Sequence, residues 1–280
     1  MIVAALAVVV STSVFGAEAF AAKKNTKQTQ TKRSPYGVFL SIDNTEMSKL
    51  EGYDTVVIDA QYFTAEDITK LHNDGHKVFS YINIGSVENF REYYNDFKRL
   101  SLGEYENWEE ELWVDTSDEK WQMMIDELAY EMYEKGVDGF WVDNCDVYYI
   151  AEEKDKDKIY DGLENMLGGL MDLNKEVIIN SGDTFLDEYY ERNGCIDDII
   201  TGINQETVFS SIDFDNETFG VQNSEDSSYY KSYITRYADK GAKIYLLEYT
   251  KSNTLKKKID SYCKKNGFSY YVSDSIELDG

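Results

Sequence analysis

The chain has 280 residues, 42% of them hydrophobic, with 28 Lys and Arg against 53 Asp and Glu, for a formal net charge of −25. That hydrophobic content supports a large core and excludes a wholly disordered chain. The charge repels nucleic acid and anionic membranes and suits a cationic partner. Residues 2–15 (IVAALAVVVSTSVF) are apolar and precede Ala19-Phe20-Ala21. This pattern predicts a secretory signal peptide over 1–21, too short to span a bilayer, and hence a secreted or cell-envelope location with no membrane contact once the signal is removed. Residues 22–34 read as a polar linker, and 35–280 as the folded domain.

From there apolar, strand-like runs alternate with helical segments. The first strand is predicted at Tyr36–Asp43 and the second at Tyr53–Ala60. A helix follows, opened by the capping-box pair Thr64 and Asp67 and closed at Gly75. The third strand is predicted at Lys77–Gly85. After it comes a long aromatic and acidic loop containing Tyr93, Tyr94, Trp108 and Trp113. Thr116 and Glu119 predict the cap of the next helix, which ends near Gly136. Further strands are predicted at Gly139–Asn144, Glu176–Gly182, Ile199–Val208, Lys243–Tyr249 and Phe268–Asp274, and Gly267 caps the last helix.

Near-continuous apolar strands alternating with helices indicate a parallel sheet. Eight of them favour closure into a single (β/α)8 TIM barrel. No Gly-x-Gly-x-x-Gly run follows the first strand, which argues against a nucleotide site. No eighth helix follows the last strand, so the stretch before the first strand covers that gap or the gap stays open.

In such a barrel every strand's C-terminal end lies on one face. Asp43, Asp59, Asp143, Glu206, Glu248 and Asp274 end strands, with Asn83, Asn144, Asn180 and Gln205 among them. An acid ending a strand also serves simply to cap the next helix, a reading that applies best to Asp43, Asp59 and Asp274. It applies poorly to Glu206, because Glu is a weak N-cap. His72 and His76 flank a turn before the third strand, on the opposite face, so histidine triads and histidine metal sites are not expected. Asp143 and Asp146 could hold a hard cation, but no calcium-loop spacing is present. No cofactor or metal is expected. Cys145, Cys195 and Cys263 lack metal spacing and are expected as buried thiols. Two carboxyl groups at one mouth, one protonated and one ionised, are what glycosidic cleavage needs. Spacing alone leaves the pair open: Asp143 with Glu206, Asp143 with Glu248, and Asp59 with Glu206 all fit.

The runs YGVFLSID, VVIDA, VFSYINIGSVE, GFWVDNCD, INSG, INQET and YLLEYT, in this order over about residues 36–275, resemble glycoside hydrolase family 114, the endo-α-1,4-polygalactosaminidase group. YINIG-SVE and GFWVDN are the most specific blocks. The resemblance implies a retaining glycosidase with Asp143 as nucleophile and Glu206 as acid/base. It implies that Asp43, Asp59, Asn83, Asn180 and Tyr249 line the sugar cleft. Glu248 joins this substrate-binding set and is the alternative acid. The expected partner is a polysaccharide, specifically a cationic amino-sugar polymer. A non-catalytic carbohydrate-binding barrel is the rival reading. A polysaccharide deacetylase is disfavoured because no His pair accompanies the acids.

Overall fold

The computed structural model describes residues 33–280 except residue 217. The predicted signal peptide and all but the last two residues of the predicted linker lie outside the described residues. In chain order the strands are β1 (Ser34–Phe39), β2 (Tyr53–Ile58), β3 (Lys77–Asn83), β4 (Ser86–Glu88), β5 (Ser101–Glu104), β6 (Glu111–Val114), β7 (Gly139–Asp143), β8 (Glu176–Asn180), β9 (Gly202–Glu206), β10 (Ser210–Asp213), β11 (Thr218–Val221), β12 (Lys243–Tyr249) and β13 (Ser269–Ser273). Eight of them pair in parallel in the order β1-β2-β3-β7-β8-β9-β12-β13. β13 returns beside β1, so the sheet curls into a nearly closed (β/α)8 barrel.

The ends of the hydrogen-bonded order meet through rings rather than through a ladder. Phe39 of β1, Tyr53 of β2 and Tyr271 of β13 stand 5.0, 5.4 and 5.6 Å apart, centroid to centroid. Edge-on and tilted aromatic contacts of this kind each add a modest gain beyond their buried area. After β13, residues 274–280 form turns and no helix. This tail packs against Phe39 of β1 and the helical turn after it, where Lys49 Nζ donates to the Asp279 carbonyl over 2.6 Å. Within the described residues, then, it is the stretch following the last strand that lies along the seam.

Local signals explain most of the helix boundaries. Thr64 and Asp67 form the reciprocal capping box expected of them. The cap of helix Glu119–Lys135 is Asp118, not Thr116: Asp118 accepts from the Lys120 and Trp121 amides, while the Thr116 hydroxyl donates to the Ile159 carbonyl. Most strands stop short of the predicted ends because the strand-end polar residues turn out of the ladder to cap or to bond side chains. β1 itself begins at Ser34, so the end of the predicted linker belongs to the barrel. Cys145 and Cys263 are buried as expected, but Cys195 is exposed.

Two loops carry structure that the sequence reading missed. The aromatic loop after β3 folds into a three-stranded antiparallel sheet in the order β4-β6-β5, and the polar stretch after β9 contains the β10-β11 hairpin. Their strands are only three or four residues long, too short for a period of two to show.

Gly85 sets how closely the β3 loop approaches β7. A Cβ there would stand 1.8 Å from the Asn144 carbonyl oxygen. Because backbone lies on both sides, relief requires moving the residue that follows Asp143. Gly85→Ala should cost about 1–3 kcal/mol, lowering Tm by roughly 3–10 °C. Thermal melting checks this; an unchanged Tm would mean that the approach is looser than described.

Candidate active site

The C-terminal ends of the barrel strands open into a cavity of about 520 Å³ lined by Tyr81, Trp141, Asp143, Asn180, Glu206 and Tyr249 among others. β7, β8, β9 and β12 are consecutive neighbours in the sheet. Their last residues, Asp143, Asn180, Glu206 and Tyr249, are therefore brought side by side by the ladder itself.

One amide joins the two carboxyl groups. Asn180 Nδ2 donates to Asp143 Oδ1 over 3.0 Å and to Glu206 Oε1 over 2.8 Å. The two hydrogens of an amide diverge by about 120°, which sets these oxygens about 5 Å apart. Tyr249 OH donates to the other Glu206 oxygen over 2.7 Å.

The sense of that amide is fixed from the core. Trp141 Nε1 donates to Tyr36 OH (2.8 Å), Tyr36 OH to Asn204 Oδ1 (3.1 Å), and Asn204 Nδ2 to Asn180 Oδ1 (2.8 Å). An indole nitrogen only donates. Each link therefore has one direction, and Asn180 must turn its NH2 toward the acids. Trp141, Tyr36 and Asn204 are fully or almost fully buried, so water does not compete for these bonds.

The backbone turns sharply just beyond three of the four strand-end site residues. Asn144, Ser181 and Thr207, which follow Asp143, Asn180 and Glu206, have φ of 69°, 57° and 53°. Left-handed backbone is costly for a β-branched residue such as Thr207. Thr207 is held there by its N–H bond to the Leu247 carbonyl, and Ser181 by one to the Asn204 carbonyl. Strain concentrated at three adjacent strand ends points to a functional mouth.

Burial dominates the electrostatics. It pushes the Asp143 carboxyl up to about 7, against the stabilising Asn180 bond and with added repulsion from Glu206. Glu206 is also raised by burial, while its bonds from Tyr249 and Asn180 favour the ionised form. Asp146 reaches about 7 through burial and the nearby Asp183 and Asp143. Glu111 rises to about 8 through burial and Glu88. Acids crowded in this way hold protons at neutral pH that water would remove.

The remaining sequence candidates divide. Asp59 and Asp43 line a second cavity of about 570 Å³ that shares Leu40, Ser41, Tyr81, Trp108, Glu111 and Glu277 with the first. Asp59 is tied to Arg91 at 2.6 Å in a buried cluster with Glu88; burial still raises its pKa more than Arg91 lowers it. Asp43 is exposed and bonds the Thr45 amide and hydroxyl, the capping role weighed for it. Asn83 lies beneath the cavity wall and braces Ser86, Glu111 and Asn144. Glu248 is fully buried and faces away from the cavity, accepting from Phe209 N, Ser210 N and Ser210 Oγ. It anchors the start of β10, and burial pushes it up to about 7.

Sequence reasoning missed Glu111, Tyr105 and the tail residues Ile276–Leu278, all of which line the first cavity. Glu111 sits in the acidic run Glu109-Glu110-Glu111, where nothing marks one acid as inward. Trp113, in the strand-like WVD context, is buried against Tyr105 at 4.0 Å, whereas Trp108 reaches the cavity and meets Phe214 edge-on at 5.9 Å. Among the described residues, no group of three or more His, Cys, Asp or Glu is arranged to hold a metal ion.

The model of the glycoside-hydrolase family GH114 matches residues 17–280. The chain belongs to family GH114. It is a glycosidase. Among solved structures, the GH114 chain is similar to the glycoside hydrolase domain of PelA from Pseudomonas aeruginosa, with a TM-score of 0.75, 17% identity, and coverage of 88% of this chain and 96% of that one. It is similar to Aspergillus fumigatus Ega3 in complex with galactosamine, with a TM-score of 0.66, 16% identity, and coverage of 89% and 92%. An α-galactosidase from Thermus thermophilus matches at a TM-score of 0.57 and 9% identity, covering 88% of this chain and 58% of that one. At these identities the likeness shows the barrel fold. No curated protein sequence matches.

The donor chain makes a testable contrast. Asn204→Asp cannot donate to Asn180 Oδ1, so the Asn180 amide should flip and present its oxygen to two carboxylates. The titration midpoints of Asp143 and Glu206 should then rise by about one unit or more. Trp141→Phe removes one donor, preserves the sense, and should cost about 1 kcal/mol of stability with smaller pKa changes. Carboxyl ¹³C NMR titration measures both; equal shifts in the two variants would contradict the directional chain.

Proposed function

We propose that this GH114 enzyme cuts within α-linked, galactosamine-containing polysaccharide outside the cell, by a retaining mechanism, with Asp143 as nucleophile and Glu206 as acid/base. The observation that carries the proposal is the single Asn180 amide shared by both carboxyl groups. A separation of about 5 Å supports the retaining reading, since inverting enzymes need roughly 6.5–9.5 Å to admit a water.

In the first step the Asp143 carboxylate attacks the anomeric carbon while Glu206 gives its proton to the departing glycosidic oxygen. In the second, Glu206 takes a proton from water, which attacks the same carbon and releases Asp143. The Asn180 hydrogens bond whichever carboxyl carries charge, and Tyr249 favours the ionised Glu206 formed after the first step.

The polymer assignment rests on the PelA and Ega3 likenesses, Ega3 being solved with galactosamine, and on charge. Asp43, Glu46, Asp59, Glu88, Glu110 and Glu277 line the second cavity with Arg91, and Arg91 is already paired to Asp59 and Glu88. Such a cleft attracts a deacetylated, cationic chain. Secretion is inferred from the predicted signal and the acidic composition; no described helix is long and apolar enough to cross a membrane.

The proton location favours one second reading. Each carboxyl takes two donors, Asn180 and Tyr249 on Glu206, Asn180 and the Asn144 amide on Asp143; repulsion from Glu206 adds to the rise of Asp143, and a proton held on Asp143 in the empty cleft would suit exchanged roles. Azide rescue separates the two readings. With an activated α-galactosaminide, Glu206→Ala plus azide should yield the α-azide if Glu206 is the acid/base, and the β-azide if it is the nucleophile.

Glu206→Gln should lower turnover on polymer about a hundredfold or more while sugar binding survives; unchanged turnover would exclude Glu206. The pH profile follows from the same pair. The pair works only while it holds one proton, which in the empty cleft leaves at about 7; above that pH no acid remains, so kcat/KM should fall as pH rises past about 7. A flat profile up to pH 9 would contradict a catalytic proton held by this pair. Trp108→Ala should weaken polymer binding at unchanged Tm. Trp113→Ala, emptying a buried stack, should cost about 3–5 kcal/mol of stability. Melting curves and binding isotherms check both, and the reverse pattern would move the sugar wall elsewhere.

A further inference from the structure

Glu111 opens β6, in the small sheet packed over the barrel mouth, and lines both cavities, so it stands where the reacting pocket passes into its acidic extension. One of its oxygens is clamped. Oε2 accepts from Ser86 Oγ, from Asn83 Nδ2 over 3.4 Å and from Asn144 Nδ2 over 3.3 Å. The other oxygen, Oε1, takes no hydrogen bond from a described residue and is not sealed from the cavity. Three donors on one oxygen fix the direction in which the other points. Asn144 also donates its backbone N–H to Asp143 Oδ1 over 3.0 Å, so a single residue touches both carboxyl groups.

We propose that Glu111 selects an unacetylated amino sugar beside the point of cleavage, its open Oε1 pairing with the sugar ammonium. This rests on the reading of the enzyme as a galactosaminidase and names the residue that tells amine from acetamide.

The groups facing Glu111 are Glu88 from β4, Asp143 from β7, Tyr81 from β3 and Tyr105. Burial and the two acids push its carboxyl up to about 8, while Ser86 and Asn83 work in the other direction. The empty cleft therefore presents a neutral acid near pH 7. An arriving ammonium stabilises the carboxylate, the carboxyl proton leaves to solvent, and an ion pair remains. An acetamide carries no charge to pair with and triggers no such release. It also brings an acetyl group into a site whose acceptor cannot turn away.

The test compares α-1,4-linked galactosamine oligomers with their N-acetylated counterparts. In the wild type kcat/KM should favour the free amine, and Glu111→Gln, which keeps shape and acceptor, should reduce that preference tenfold or more. Calorimetry at pH 7 in buffers of different ionisation enthalpy, in a Glu206→Gln background that binds with little turnover, gives the second readout. Amine oligomer should release about one more proton with Glu111 than with Gln at that position. If Glu111→Gln melts early, Glu111→Asp carries the same comparison by withdrawing the charge one methylene. Equal losses on both oligomers, or an unchanged preference with equal proton release, would overturn the role of Glu111 alone. A wild type that cuts neither oligomer would overturn the galactosaminidase reading itself.

Discussion

The site depends on one directional chain of hydrogen bonds through the barrel interior. It starts at Trp141 Nε1, a group that can only donate, and ends at two carboxyl groups that mainly accept. Tyr36, Asn204 and Asn180 are the links between. The two ends demand the same sense, so no link is frustrated, and every member is buried or nearly so. A fully satisfied buried network of this type gives orientation at little cost, whereas a half-satisfied one is expensive. Asn180 is thereby a preset donor rather than a rotor, and it holds the two acids at one spacing before substrate arrives.

The barrel makes this possible because the participants come from adjacent strands. β7, β8, β9 and β12 end together, and the chain leaves the first three through left-handed residues. The loops then finish the cleft. The β4-β6-β5 sheet brings Tyr105, Trp108 and Glu111 over the mouth, and the β10 hairpin brings Phe214. Glu248 secures the start of that hairpin with a buried carboxyl. It is an acid at a strand end like Glu206, but it serves the loop and not the cleft.

The strands were legible because a parallel barrel buries them on both faces, and runs such as KIYLLEY and EVIIN carry that burial openly. Asp143 and Glu206 stood out because each ends such a run, and Glu206 because Glu is also a weak cap. What stayed hidden was direction. Nothing local says that Glu248 turns inward to the Phe209 and Ser210 amides, or that Asn83 braces its neighbours from below the wall. Asp43 reads the same whether it caps a helix or lines a cleft. Glu111 was out of reach for a further reason: its surroundings come from Ser86, Asn83 and Asn144, two of them barrel residues about thirty positions away on either side. Short loop strands with no period leave no trace of such a meeting.

One amide holds the two carboxyl groups at a spacing that suits attack through a covalent intermediate. The most direct measurement is ¹H NMR of the first products released from an α-1,4-galactosamine oligomer, recorded before mutarotation. The new reducing end should appear first as the α anomer. First appearance of the β anomer would contradict a retaining mechanism.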